Sequence, residues 1–363
     1  MVQEVNFVAI KPGLFGINKS NRDFSKAENW GKNQFNSSFP ASLLSYMDSV
    51  QLDSVYITLG TDLSVAHGKI STVTLFGIEP TSENLYYAFE RDFSPYQKFV
   101  EGNLPRIDFV TMNNKCGTSL RGLEIKLTAL PDNSTHSLPE DNYGAELVIR
   151  PDTIVYLGVS IASHYEESPK KLLDSLNPIC SKIADWSSIS DVQPHISEMI
   201  EVFDSALLES LKHQQPLVVQ PIWKTEGKTP ILCERCLDSF VWSDYAFTRL
   251  FVDVAKSSIA RKGINRATRT FVWLFKMLFE FAKFGKINHE QIIDTLSYNT
   301  KNDKAFALSG SKTIRYMKSS ELAAPRISKS EIKNIILGGG HKLLSPERRF
   351  DAVIVNTPDL FDF

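Results

Sequence analysis

Between residues 104 and 132 the chain passes through two short apolar stretches, each interrupted by charge. The first, Ile107-Asp108-Phe109-Val110, reads as a short buried strand that carries one acid. The second, Leu123-Glu124-Ile125-Lys126-Leu127, alternates apolar and charged residues. Side chains two apart on a strand share a face. The alternation therefore sends Leu123, Ile125 and Leu127 into a core and projects Glu124 and Lys126 together on the other side. The intervening Asn113-Asn114-Lys115-Cys116-Gly117 is made of turn formers, so the two strands read as a hairpin. Such a hairpin brings Asp108 beside Glu124.

Around this hairpin the same patterns predict a mixed α/β core. Residues 5–10, 55–59, 69–78, 106–111, 120–128, 145–149 and 216–223 read as strands, several of them rich in Val, Ile and Thr. Residues 41–48, 82–89, 153–164, 169–176 and 196–212 read as helices, with Ser82 and Asp152 as N-caps. Residues 237–284 read as strongly helical, and their many Phe, Trp and Leu residues suit buried helices or a dimer surface. The polar, glycine-containing stretch 224–229 marks an expected boundary. The division expected is an N-terminal arm over 1–50, a core over 51–225 and a helical, basic region over 226–363.

The hairpin has a chemical use. A carboxylate and an ammonium side by side on an apolar strand are costly unless they are paired or bound to something. Two carboxylates on neighbouring strands suit a hard, oxygen-loving ion such as Mg²⁺. Such an ion polarises a phosphoryl oxygen and lowers the pKa of a bound water. A lysine beside it orients or deprotonates that water, or neutralises charge in the transition state. Taken alone, Asp-x(n)-Glu-x-Lys is a common pattern and a strand Glu-Lys pair is ordinarily a solvated face. The apolar flanks and the hairpin favour the catalytic reading.

Composition narrows the partners. Hydrophobic residues make up 42% and charged residues 23% of the 363, ordinary for a soluble globular chain. There is no membrane-length apolar run and no basic-then-apolar leader, and four cysteines make no disulfide framework, so a reducing cytoplasm is expected. The net charge of -2 hides an asymmetry: residues 256–349 hold 19 Lys and Arg against 7 Asp and Glu. A basic segment on an acidic chain is the footprint of a polyanion binder, although a lysine-rich solvated surface has the same composition. Candidate phosphate or base contacts there are Arg261, Lys262, Arg266, Arg269, Lys312, Arg315, His341, Lys342 and Arg348. The N-terminal arm adds Lys19, Asn21, Arg22, Lys32 and Asn33 in a run of Gly, Asn and basic residues, where amides suit adenine edges and also suit turns. Cys233-Glu234-Arg235-Cys236 has no second ligand pair nearby and reads as reduced thiols.

Asp108, a short gap, then Glu124-x-Lys126 on the next strand resembles the PD-(D/E)xK nucleases. The proline that usually precedes the first acid stands three residues upstream here, at Pro105. Longer blocks resemble HindVP-type restriction endonucleases. They are Leu-Glu-Ile-Lys-Leu-Thr-Ala-Leu-Pro-Asp over 123–132, Tyr143-Gly144-Ala145-Glu146, Arg150-Pro151-Asp152-Thr153-Ile154, and the arm over 11–40. The resemblance implies a PD-(D/E)xK nuclease-like mixed-sheet core and a type II restriction endonuclease. It would use Mg²⁺ to cut double-stranded DNA at a short, near-palindromic site, six base pairs with a central CG. Asp108 and Glu124 would hold the ion with the Ile125 backbone carbonyl, and Lys126 would position water. A further acid, implied on a helix before the first strand, would be Glu90, with Glu83 and Glu101 as rivals. Two-fold sites imply a homodimer, and restriction implies a cognate DNA methyltransferase. The alternatives are a structure-specific repair or recombination nuclease of the same superfamily and a non-catalytic DNA-binding protein. Arg150-Pro151-Asp152 is a true Pro-Asp, but it follows Glu124 and Lys126 and is better explained by capping.

Overall fold

The computed structural model describes residues 39–126, 128–131, 147–209, 211–226, 231–259, 264–298, 306–308, 321, 324–332 and 334–335. The expected strand at 5–10 and the whole Lys19–Asn33 candidate group lie outside these residues. After helix α1 (Phe39–Ser49) come strands β1 (Ser54–Leu59) and β2 (Val65–Ile70), the short helix α2 (Thr72–Phe76) and strand β3 (Leu85–Arg91). The hairpin follows as β4 (Ile107–Asn113) and β5 (Thr118–Ile125), then β6 (Thr128–Pro131) and β7 (Leu147–Ile149). Helices α3 (Pro151–His164), α4 (Pro169–Cys180), α5 (Ile189–Val192) and α6 (Ile196–Glu209) lead to strands β8 (Pro216–Thr225) and β9 (Leu232–Ser243). Helices α7 (Asp244–Ser258), α8 (Arg266–Phe284) and α9 (His289–Thr295), then β10 (Phe306–Leu308) and β11 (Ile327–Ser328), complete the described elements.

One mixed sheet runs β2-β1-β9-β8-β5-β4-β3, with β11 beside β9 and β6 beside β8. β3, β4 and β5 are antiparallel neighbours, and β5 lies parallel to β8. β6 continues the β5 register along β8: Glu124 pairs with Val218, Ile125 with Val219, and Thr128 with Ile222. Lys126 keeps its N–H bonded to the Val219 carbonyl at 2.9 Å across the break between β5 and β6. The strand that carries the site is therefore held on both edges.

The sheet separates two apolar layers, and alternation along each strand decides which side chain enters which. Phe109, Leu123, Ile125, Val219 and Val241 face a layer closed by α1 and α2. Val110, Val218, Phe240 and Trp242 face the opposite layer, built from α3, α7 and α8. Helix α3 is buried from Thr153 to Ala162 and packs on α8, so it is apolar nearly all round. Close packing reaches the backbone at Gly122 on β5, where an added Cβ would lie 2.8 Å from the Phe93 ring. Among the described residues no helix is long and apolar enough to cross a membrane.

Four sequence readings are corrected. Residues 69–78 are not one strand: β2 ends at Ile70, Ser71 caps α2 through Thr74 N–H, and Gly77 stops it at φ 76°. Residues 82–89 are not a helix. Ser82 instead accepts from Asn84 N–H in a turn, and the aromatic run Leu85-Tyr86-Tyr87-Ala88-Phe89 pairs with β4. The apolar run from 237 begins as a strand, because β9 lies between β8 and β1 in the sheet, and helix starts only after Ser243. Asp152 is not the N-cap of α3: Arg150 occupies that position and Asp152 lies in the first turn. The expected boundary at 224–229 starts within the end of β8, and β8 and β9 pair with one another.

Candidate active site

β4 and β5 deliver the three residues as the hairpin requires. Leu123 and Ile125 point into one apolar layer, so Glu124 and Lys126 emerge on the α3 side. Asp108 shares the face of Val110 and meets β5 directly: Ile125 N–H donates to its Oδ2 at 2.8 Å. Lys126 Nζ donates to Glu124 Oε1 at 2.6 Å. The pair is buried, with Glu124 6% and Lys126 9% exposed, which separates it from a solvated surface ion pair.

Two neighbours come from the start of α3: Thr153, unforeseen in the sequence, and Asp152, weighed there as a rival acid and assigned to capping. Thr153 Oγ1 donates to Glu124 Oε1 at 2.8 Å and lies 3.4 Å from Lys126 Nζ. Asp152 feels Glu124 and Lys126 electrostatically, and its carboxyl is held above the usual range by burial and by the Glu124 charge. The signal was present in the sequence as Arg150-Pro151-Asp152-Thr153-Ile154. Pro151 at the first helical position sets the start of α3. The capping logic then drew attention to Asp152 as a cap, and so away from the site.

The other expectations divide. Glu90 is an exposed residue of a strand and not of a helix end. The pairs Phe89 with Phe109 and Arg91 with Ile107 put it across from Asp108, and its backbone takes a left-handed φ of 51°. Its charge adds to the forces on Asp108. Glu83 is exposed before β3, and exposed Glu101 accepts from Asn288 Nδ2 at 3.1 Å. Of the basic candidates, Arg266 is exposed at the start of α8. Arg269, expected at the surface, is instead 1% exposed, with its guanidinium 4.6 Å over the Trp273 ring. The inward face of α8 explains this burial. Arg261, Lys262, Lys312, Arg315, His341, Lys342 and Arg348 lie outside the described residues. Cys233 and Cys236 lie on β9 as thiols.

Acidic groups dominate the electrostatics of the site. Burial and then the Glu124 charge raise the Asp108 carboxyl well above the ordinary carboxylate range, against the opposing pull of Lys126 and the Ile125 N–H. Negative groups from β3, β4, β5 and α3 thus act on one another around a single buried lysine. Among the described residues no three His, Cys, Asp or Glu side chains converge as a ready metal cage. Asp108 and Glu124 are the two carboxylates that could hold an ion, with the Ile125 backbone carbonyl adjacent. Hard oxygen donors with uncompensated charge fit a hard divalent cation that keeps part of its water shell.

Comparison with known proteins agrees with this chemistry. The HindVP restriction endonuclease family matches residues 30–361. The type II restriction enzyme HgiDI of Herpetosiphon aurantiacus is 46% identical over 352 residues, which cover 97% of this chain and 98% of that protein. The probable type II restriction enzyme HindVP of Haemophilus influenzae is 44% identical over 359 residues, covering 99% and 98%. No solved structure matches the chain. The chain belongs to the HindVP restriction endonuclease family and is a type II restriction enzyme.

Proposed function

We propose that the enzyme hydrolyses phosphodiester bonds of double-stranded DNA at a short near-palindromic site, in a Mg²⁺-dependent reaction of the PD-(D/E)xK kind. The observation that carries the reading is the buried Glu124–Lys126 pair with Asp108 bonded to the residue between them. Asp108, Glu124 and the Ile125 carbonyl would hold the ion, with Glu90 as a further candidate acid. When bound, the ion supplies charge neutralisation at the phosphoryl group and a lower pKa for water. Lys126 does the remaining work from the protein side. Its ammonium stands where it can orient the attacking water and meet the charge that develops on the phosphate. Burial excludes bulk water and strengthens both effects.

The rest of the reading extends the family resemblance. Residues 1–50 and the basic part of 226–363 supply DNA contacts around the core, with Lys19, Asn21, Arg22, Lys32, Asn33, Arg261, Lys262, Arg266, Lys312, Arg315, His341, Lys342 and Arg348 as the candidates. β9 from the same C-terminal region also serves the sheet. The working form is a homodimer in the cytoplasm, matched to a two-fold DNA site and accompanied by a cognate methyltransferase. The site resembles six base pairs with a central CG. Incubation of plasmid DNA with purified protein and Mg²⁺ tests the proposal. Discrete fragments are expected, lost with EDTA and restored by excess Mg²⁺. An unchanged plasmid, or cutting confined to junctions or mismatches, overturns it.

A further inference from the structure

We propose that Thr153 is a positioning residue for cleavage, fixing Glu124 and Lys126 relative to one another; this rests on the roles given to those two residues above. Thr153 is 0% exposed. Its hydroxyl donates to Glu124 Oε1 at 2.8 Å, and both Lys126 Nζ and the Arg150 N–H approach it at 3.4 Å. A hydroxyl has one proton and two lone pairs. With an ammonium and an amide as the two donors, the proton is left for Glu124, so each group has one compatible role. Lys126 Nζ and Thr153 Oγ1 then converge on the same carboxylate oxygen, at 2.6 and 2.8 Å. That removes the rotational freedom of a side chain whose oxygens would otherwise sweep past the reacting phosphate.

The helix that presents Thr153 is itself pinned along one line. Thr153, Tyr156, Ser160 and His164 recur at helical spacing on α3, a polar file on an apolar helix. Tyr156 Oη donates to the Pro105 carbonyl at 2.8 Å and accepts from Phe93 N–H at 3.1 Å. Ser160 Oγ donates to Asp244 Oδ2 at 2.6 Å, and His164 Nε2 lies 3.0 Å from the same oxygen. Pro105 leads into β4, and Asp244 opens α7. The hydroxyl of Thr153 is therefore placed by a helix registered against the sheet and not by a loop. Rigid delivery of this kind is what a positioning contact requires. A purely capping role would use only the bond to Arg150.

The test compares Thr153→Val, which keeps shape and loses the hydroxyl, with Thr153→Ser, which keeps the hydroxyl. Single-turnover cleavage is measured on a plasmid that the wild-type protein cuts into discrete fragments. Binding is measured without metal on a labelled fragment that carries one cut site, and thermal unfolding is followed in parallel. Thr153→Val is expected to slow cleavage by about 10- to 100-fold, as small misplacements at a reacting centre do. Binding should stay within about twofold and Thr153→Ser should recover most of the rate, in line with a loss of positioning and not of substrate affinity. Wild-type cleavage by Thr153→Val overturns the proposal, as does equal slowing by Val and Ser. If the valine variant fails to fold, Thr153→Ser against Thr153→Ala isolates the same hydroxyl, and equal rates overturn the proposal. A fully active Lys126→Ala would instead remove the underlying site assignment. An inactive Lys126→Ala beside a fully active Thr153→Val would leave that assignment standing and reject only the role of Thr153.

Discussion

Two buried ionic clusters share this sheet, and they are balanced differently. Asp238 on β9 is 1% exposed and meets Arg326 through a fork, Nε at 2.7 Å and a terminal nitrogen at 2.8 Å, while Ser239 N–H adds a third donor at 2.7 Å. Burial leaves the Asp238 carboxyl raised, but every neighbouring group opposes that rise. At Asp108 the leading charged neighbour is another acid, Glu124, which pushes the same way as burial. The first cluster is complete and ties the C-terminal segment to β9 and, through the Asp53 carbonyl, to the start of β1. The second sets several acids against one buried lysine. On the proposed function, the contrast separates an ion pair kept for architecture from one kept for chemistry.

The largest break in this contrast comes at Lys126. Lys126→Ala should lower cleavage by about 10³-fold or more, the scale of losing a positioned proton-handling or charge-stabilising group. Specific DNA binding without metal should persist. Plasmid digestion and gel shift on the same preparation check both halves. Next in size is Asp238→Asn, which leaves Arg326 facing an amide at a buried site. It should destabilise the protein by about 2–4 kcal/mol, read from urea unfolding, with cleavage by the folded fraction unchanged.

Asp108→Asn sharpens the comparison because the same chemical change should act in the opposite direction. A carboxyl whose folded pKa is raised opposes folding once it must ionise. That cost is absent below the ordinary carboxyl pKa and grows as pH rises through the folded value. Without metal, the wild-type protein should therefore lose stability from acid toward mildly alkaline pH. Asp108→Asn should flatten that slope and unfold at higher urea than wild type at pH 8, while it cleaves no DNA. A lower midpoint than wild type at pH 8 would show that the Asp108 charge is already compensated.

The hairpin was legible because its signal is local. Strict alternation at 123–127 and a turn-forming pentapeptide fix which side chains share a face; β4 and β5 obey them as far as Ile125, and Leu127 lies outside the described residues. The strand at 216–223 was legible for the same reason and is β8. What failed was decided at a distance. Residues 85–91 are hydrophobic enough for either a strand or a helix, and pairing with β4 settles it. Residues 237–243 continue an apolar run into α7, and only the gap between β8 and β1 makes them a strand. Thr153 is separated from Glu124 by 29 positions, so no window of the sequence places them together.

The order of strands has a consequence for when the enzyme becomes dangerous. β5 borders β8, whose partner residues Val218 and Val219 come 94 positions after Glu124 and Ile125. During synthesis the β4–β5 hairpin has one bare edge until most of the chain has left the ribosome. α3, which steadies it, rests on α8, later still. A shortened product that stops before Pro216 lacks the strand that anchors Lys126 through Val219. On the proposed function, a fragment of this kind should lack cutting power, which would spare a host whose own chromosome is a potential target.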